Sequence, residues 1–515
     1  MLLIHVLYLL ISFTSFTVYP ATPEINQDDA RANFIANAAI SFALGSKLDH
    51  PYDTQIAHVR LSNDIPEEEK AACTLRKQKA HKKLEQLLGI SLEPDEFPTI
   101  ALCCSGGGYR ALISTLGMLM ALEEMDLLDC VTYIAGVSGS TWTMGTWYSH
   151  KKKLIDLKNL LKEQIKKPLP SDSSYTKLLE LASIKYYYDQ KFTLVDIWGA
   201  LIAKTLLSDF GDKRQSCHLS EQQHSVSTGL CPFPIYTSII PLDKTYEWVE
   251  HTPYEVTNIA QNAAIPTWSL GRKFDSGISM DFAPEQTLGF LLGACGSAFT
   301  ISEGEFLDMY AQQLPFLLVH TLNFLNTYTS FEYARISPAQ LYNPLYGTES
   351  ILHKNKQEIC LVDAGIDCNL PFPPLLRAER KIDIIIVADA SSDIDTGSEI
   401  ACGEEYAIKN NLLFPPISYT DISKQTVSVF ADLENKAPTI LYVPLIKNSA
   451  YAEFDPQESI TSGGYCSTFN LSYKEEETEQ LCGLTHFSVY EARAKIVQSL
   501  YDFCMHKKKV KQLLA

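Results

Sequence analysis

Two apolar runs of strand length mark the first third of the chain. Thr99–Cys104 ends in a glycine triplet, and Asp129–Ala135 ends in the turn GVSGS. Helical spacing of apolar positions follows each break, over Tyr109–Met125 in the first case and after Ser140 in the second. The pattern predicts a strand, a glycine loop and a helix, then a strand, a serine turn and a helix.

Other segments carry clear but less informative patterns. Ile382–Ala388 predicts a strand buried on both faces, and the interleaved charges of Glu67–Leu88 predict a solvated helix. Thr193–Leu207 and His486–Phe503 have helical spacing. Ile301–Leu325 is amphipathic to apolar, which fits a lid or an acyl-binding wall as well as a buried helix.

Composition sets limits on size and partners. The chain has 515 residues with 46% hydrophobic content, enough for a large core. The formal net charge of −18 argues against nucleic acid as a partner. Contact with lipid would therefore use local apolar surface or local lysines rather than the overall field.

The first residues resemble a targeting segment. Met1–Tyr19 is apolar and carries no lysine or arginine, and Pro20-Ala21-Thr22 follows. This pattern predicts a signal peptide over residues 1–20 and a secreted or exported protein. An uncleaved segment that anchors the protein to a membrane is the alternative.

The thirteen cysteines show no paired C-x-x-C spacing of a metal site. In an exported protein, Cys217 with Cys231 and Cys466 with Cys482 are candidates for local disulfides.

The serine turn and the glycine loop together suggest acyl-transfer chemistry. Ser138 lies between Gly136 and Gly139, as a nucleophile at a sharp strand-to-helix turn requires. Three successive glycines can expose backbone amides to an oxyanion. Either feature alone also occurs by chance, but a phosphate loop is excluded because Tyr109 and Arg110 replace its Gly-Lys-Ser/Thr sequence.

The motifs SGGGYRA and GVSGSTW resemble the catalytic domain of the cytosolic (group IV) phospholipase A2 family and of the related fungal phospholipases B. The likeness covers roughly residues 50–500. It continues in order through KFTLVDIWGALI, CPFPIYTSI, TPYEV, IPTWSLGRKF, LLGACGSAF and VDAGIDCNLPFPPLLRAERKIDIIIVADAS.

The resemblance implies an α/β fold of three layers, patatin-like, with a central mixed sheet, a nucleophile elbow and a helical cap. We expect an N-terminal helical segment at 21–95 and a catalytic domain at 96–505, with a cap insertion around 151–330. A basic C-terminal tail is expected at 506–515.

The family's catalytic base is an aspartate, and the matching residue is Asp363 in VDAG. Burial would raise its pKa and make it a better proton acceptor for Ser138. No histidine lies in a recognisable triad motif, and His486 is the first to check as an alternative base.

The remaining site residues also come from the resemblance. It implies that the amides of Gly107 and Gly108 form the oxyanion hole, and that Arg110 and Arg380 bind the substrate phosphate. This chemistry needs no metal or other cofactor.

The function implied is a serine acyl hydrolase that cleaves fatty acyl esters of glycerophospholipids, a phospholipase A2 with lysophospholipase activity. Alternatives are a phospholipase B that removes both acyl chains and a non-catalytic lipid-binding protein. The expected partner is the surface of a phospholipid membrane or micelle. Recruitment through a calcium-binding C2 domain is not expected, because only about ninety residues precede the core.

Overall fold

The computed structural model describes residues 47–167, 175–298, 338–349, 353–432 and 436–514. The strands in these residues are β1 Arg60–Leu61, β2 Ile100–Cys104, β3 Val131–Gly136, β4 Phe233–Pro241, β5 Tyr246–His251, β6 Glu255–Asn258, β7 Ala263–Pro266, β8 Phe274–Asp275, β9 Ile278–Ser279, β10 Ala339–Tyr342, β11 Glu358–Asp363, β12 Ile384–Asp389, β13 Ser428–Phe430 and β14 Thr439–Pro444.

The α-helices in the same residues alternate with these strands through much of the chain. They are α1 Glu67–Leu88, α2 Gly108–Glu124, α3 Gly139–His150, α4 Leu154–Ile165, α5 Tyr175–Tyr187, α6 Leu194–Leu206, α7 Gln223–Val226, α8 Leu288–Cys295, α9 Phe372–Leu375, α10 Ser398–Lys409, α11 Pro456–Thr461, α12 Glu475–Glu491 and α13 Arg493–Leu514.

One mixed sheet organises the molecule, with the strand order β1-β7-β6-β5-β4-β3-β2-β12-β14-β13. The middle strands β4, β3, β2, β12 and β14 are parallel, and antiparallel strands extend both sides. Every residue of β2, β3 and β12 is buried, which explains their nearly continuous apolar sequences. Helices cover the sheet and complete the predicted three-layer α/β architecture.

Two strands that are distant in sequence meet along one edge of β4. Tyr236 pairs with Gly136 of β3 and also with His251 of β5, so β3 and β5 lie on opposite edges of β4. Ser238 pairs with Asp363 of β11 and also with β5, so β11 shares the edge of β3. Because β3 runs parallel to β4 and β11 runs antiparallel, their carboxyl ends face each other.

The structure corrects the predicted domain boundaries. The strands β4 to β7 lie within the expected cap insertion at 151–330, yet they form one side of the central sheet. The segment 21–95 is also not separate in its described part, because β1 pairs with β7 and α1 packs on β3. Local sequence patterns could not show these long-range pairings.

The C-terminal residues are likewise part of the fold rather than a basic tail at 506–515. Residues 506–514 continue α13, which contacts α1. Three of their four lysines pair with acidic side chains: Lys507 with Asp383 at 3.1 Å, Lys508 with Glu96 at 3.3 Å and Lys511 with Asp95 at 2.9 Å.

All thirteen cysteines are free thiols in the structure. The two predicted disulfides are therefore absent, and their members have different surroundings. The Cys217 thiol contacts the Lys213 carbonyl, whereas Cys231 lies near Arg76.

Two predictions fall outside the described residues, namely the leader at 1–20 and the lid or acyl-binding wall at Ile301–Leu325. Among the helices of the described part, none combines the length and apolar character that crossing a membrane requires.

Candidate active site

Ser138 occupies a strained turn between β3 and α3. Its backbone has φ 49° and ψ −121°, a conformation that costs a non-glycine residue on the order of 1–3 kcal/mol. Neighbouring contacts hold the turn, since the Val137 amide donates to the Cys104 carbonyl at 3.2 Å. The Ser140 hydroxyl also donates to that carbonyl, at 2.9 Å. This is the geometry of a nucleophile elbow.

The glycine loop packs directly against this turn. A Cβ atom on Gly106 would lie 2.9 Å from the Ser138 Cβ, and one on Gly139 would lie 1.9 Å from the Gly108 carbonyl oxygen. Gly107 and Gly108 have φ values of 131° and 57°, which favour glycine. Their amides precede or open α2, where no intrahelical acceptor exists. The loop thus brings backbone donors beside the serine.

Asp363 meets Ser138 from the facing end of β11. The Gly365 amide donates to its carboxyl group at 2.9 Å, and the Ser138 hydroxyl and the Ala298 amide lie close enough to lower the pKa of that group as hydrogen-bond donors. The residue is 1% exposed. Burial raises its pKa from 3.8 to about 7, although the hydrogen bonds act in the opposite direction. A carboxylate with this pKa is a much better base than a free aspartate.

Arg110 lies behind the glycine loop rather than open to a ligand. Its guanidinium donates to the carbonyls of Ala390 at 2.7 Å and Cys466 at 2.6 Å, and to the Thr468 hydroxyl at 3.2 Å. The residue is 1% exposed. These contacts correct its predicted role, because the guanidinium is buried against Gly107 and turned toward carbonyls of the protein rather than open to a phosphate.

Arg380 is also not placed at the dyad. Its guanidinium is fully buried between Glu69 at 2.9 Å and Glu250 at 2.6 Å, and Arg377 pairs with the same Glu250. The predicted binding of substrate phosphate is therefore wrong for Arg380. The residue joins α1 to β5 through a buried ion-pair network.

His486, the first candidate for an alternative base, is distant from Ser138. His486 pairs with Glu124 at 2.8 Å. Glu124 ends α2, whereas Gly108 begins it, and a helix of that length spans about 24 Å. His486 is thus a surface ion-pair partner.

Sequence reasoning missed Asn369, which connects the two loops of the site. The side-chain amide of Asn369 donates to the Gly106 carbonyl at 3.2 Å and to the Ser391 hydroxyl at 2.7 Å. The Gly106 amide in turn donates to the backbone carbonyl of Asn369. The backbone amide of Asn369 donates to the Glu399 carboxylate at 2.7 Å. The only sequence signal was its place in the motif GIDCNLP, shortly after Asp363.

A cavity of about 470 Å³ lies apart from the dyad, and neither Ser138 nor Asp363 lines it. Polar side chains, including Lys185 and Glu285, form much of its wall. Within the described residues, no cluster of histidine, cysteine, aspartate and glutamate side chains is arranged to hold a metal ion.

Comparison with known proteins agrees with the fold. Residues 100–406 match the family model of the lysophospholipase catalytic domain, and the chain belongs to that family.

Among similar curated proteins are two cytosolic phospholipases A2. Cytosolic phospholipase A2 zeta of Mus musculus is 28% identical over 86% of this chain and 62% of its own length. Cytosolic phospholipase A2 epsilon of Homo sapiens is 27% identical over 85% of this chain and 59% of its own length. The chain thus spans about three fifths of the relatives it matches.

Solved structures of human GIVD cytosolic phospholipase A2 share the fold. One has a TM-score of 0.74 at 25% identity and covers 87% of this chain and 68% of the other. Another, in complex with methyl gamma-linolenyl fluorophosphonate, has a TM-score of 0.68 at 26% identity and covers 88% of this chain and 66% of the other.

Proposed function

We propose that this protein is a serine acyl hydrolase that cleaves fatty acyl esters of glycerophospholipids, with phospholipase A2 and lysophospholipase activity. The observation that carries the proposal is the position of the Ser138 hydroxyl beside the buried Asp363 carboxyl group, next to the turn where the glycine loop packs against the serine. A strained serine, a base with raised pKa and backbone donors are the parts that acyl transfer requires.

The reaction would proceed in two steps. The Ser138 oxygen attacks the ester carbonyl while Asp363 takes the hydroxyl proton, and the amides of Gly107 and Gly108 stabilise the oxyanion. Asp363 returns the proton to the leaving lysophospholipid oxygen. Water then attacks the acyl-serine, giving its proton to Asp363, and the fatty acid leaves as the serine is restored.

The comparisons support this chemistry. The family is that of lysophospholipase catalytic domains, and a similar structure was solved with a fluorophosphonate that carries a linolenyl chain. Fluorophosphonates react with activated serine hydroxyls, and the chain of this compound resembles a fatty acyl group. A phospholipid membrane or micelle is the corresponding substrate surface for this chain.

A vesicle assay tests the proposal and separates the alternatives. Phospholipids with different acyl chains at the two positions are incubated with wild type, Ser138→Ala and a surface control, Ser499→Ala. We expect release of one chain first, followed by slower cleavage of the lysophospholipid, and no release by Ser138→Ala. Equal release of both chains would indicate a phospholipase B.

Binding to vesicles without release of either chain by folded wild type would contradict hydrolysis and indicate a lipid-binding protein. Export through residues 1–20 stays a separate prediction. The N-terminal sequence of the mature protein from its natural source tests it, since a cleaved leader would be missing.

A further inference from the structure

Two thiols face each other across the loop that follows the dyad aspartate. Cys368 lies five residues after Asp363, and Cys402 lies on α10. The Cys368 sulfur contacts the Glu399 carbonyl of that helix at 3.6 Å, and the Cys402 sulfur contacts the Asp367 carbonyl of the loop at 3.5 Å. These crossed contacts place both thiols between the loop and α10, near enough for Cys402 to raise the pKa of Cys368.

The two thiols differ in their access to solvent. Cys368 is 3% exposed and belongs to a small apolar cluster with Val362 and Ala364. Cys402 packs against the same cluster but is only partly buried. A reagent in solution therefore reaches Cys402 first, and Cys368 is the adjacent thiol that can react next.

We propose that Cys368 and Cys402 form a reversible disulfide that fastens this loop to α10 and lowers the activity of the site. The second part of this inference rests on the proposed function, whereas the first part does not. Each sulfur already contacts the backbone of the segment that carries or adjoins the other cysteine, so a movement of the loop relative to α10 would close the bond.

The chemistry balances with a small disulfide such as oxidised glutathione as the oxidant. The Cys402 thiolate attacks one glutathione sulfur, which releases one glutathione thiolate and leaves a mixed disulfide. The Cys368 thiolate then attacks the Cys402 sulfur and releases the second glutathione. Two protein thiols are oxidised, and one glutathione disulfide is reduced to two thiols. Burial raises the pKa of Cys368, so the second step is faster at alkaline pH.

The loop transmits this change to the catalytic groups. Asn369 follows Cys368 directly and holds the Gly106 carbonyl, while Gly365 of the same loop holds the Asp363 carboxyl group. A disulfide draws two sulfurs from contact distance to about 2.05 Å. A shift on the order of 1 Å at Asn369 would displace the glycine loop, and such displacements can cost about 100-fold in rate.

Peptide mapping of the folded, full-length protein tests the pairing. The protein is incubated with oxidised glutathione at mildly alkaline pH, blocked with an alkylating agent and digested. We expect a peptide that links Cys368 to Cys402, with the loss of two hydrogens from the intact mass. Cys402→Ser should abolish that peptide, and the control Cys360→Ser, at another partly buried thiol, should retain it.

Activity measured on the same samples tests the consequence. Phospholipid hydrolysis by wild type should fall at least about tenfold on oxidation and recover with dithiothreitol, whereas Cys402→Ser should not respond. Absence of the linked peptide at full oxidation would overturn the pairing. A linked peptide with unchanged hydrolysis would overturn the regulation alone. An absence of hydrolysis before oxidation would instead contradict the proposed function, and the peptide map would still decide the pairing.

Discussion

At the scale of single residues, the site depends on how closely two backbone turns approach each other. The position that a Cβ atom would take on Gly139 is 1.9 Å from the Gly108 carbonyl oxygen, and the obstacle is backbone rather than a mobile side chain. A side chain at this position would therefore separate the serine turn from the glycine loop.

We predict that Gly139→Ala lowers hydrolysis by at least about 100-fold, because a displacement near 1 Å misplaces the oxyanion donors. The matched control is Gly211→Ala, which adds the same methyl group where no atom lies within 4 Å. Its backbone, with φ 54° and ψ −129°, is close to that of Ser138, so the variant should lose on the order of 1–3 kcal/mol of stability but keep its activity. Hydrolysis rates and thermal unfolding of both variants check this, and full activity in Gly139→Ala would contradict it.

The pH dependence of the reaction follows from the raised pKa of Asp363. Its carboxylate is the form that accepts the serine proton, so kcat/KM should fall as pH decreases through about 7, with a slope of one proton. Initial rates of hydrolysis between pH 5 and 9 provide the measurement.

A second buried acid makes a control necessary for this profile. Burial also raises the pKa of Glu399 to about 7, and Glu399 supports Asn369. Glu399→Gln keeps an acceptor oxygen but cannot ionise. The acidic limb should persist in this variant if Asp363 is the titrating base, and its loss there would assign the limb to Glu399.

At the scale of secondary-structure elements, Ser138 and Asp363 come together because β3 and β11 meet along one edge of β4. Local sequence patterns were sufficient to predict β2, β3, the glycine-containing turns that follow them and the candidate Ser138, because each signal lies within a few residues. Asp363 is one of 61 acidic residues, and only the family resemblance selected it. The antiparallel approach of β11 to β4 is a long-range pairing that no local pattern encodes.

The same limit explains the errors at the two arginines. Arg380 could not be assigned from sequence, because its partners Glu69 and Glu250 come from α1 and β5, distant in the chain. Arg110 could not be assigned either, because the segment around Cys466 that contacts its guanidinium is more than 350 positions away in the chain.

We predict that Arg380→Ala destabilises the protein by about 3–5 kcal/mol, because it leaves two buried carboxylates without their shared cation. Urea unfolding measures this loss. The control Lys424→Ala breaks an exposed pair and should change the free energy of unfolding by less than about 1 kcal/mol. If Arg380→Ala had normal stability and a raised KM, the result would instead indicate that Arg380 binds the substrate phosphate.

At the scale of the whole molecule, segments from both ends of the described chain join one fold. The strand β1 extends the sheet, and α13 packs on α1. Acidic residues outnumber basic ones, and Lys507, Lys508 and Lys511 of α13 form ion pairs within the protein. Composition predicted the size of the core, but it could not show that the described parts of the expected N-terminal, cap and tail segments belong to one body.

The central claim is that Ser138 is a nucleophile activated by Asp363, and fluorophosphonate labelling tests it most directly. Mass spectrometry of the labelled, digested protein should show one adduct, on the peptide that contains Ser138. Ser138→Ala should carry no adduct, and folded Asp363→Asn should label at least about 100-fold more slowly. An adduct on a different serine, or equal labelling of Asp363→Asn and wild type, would contradict the account.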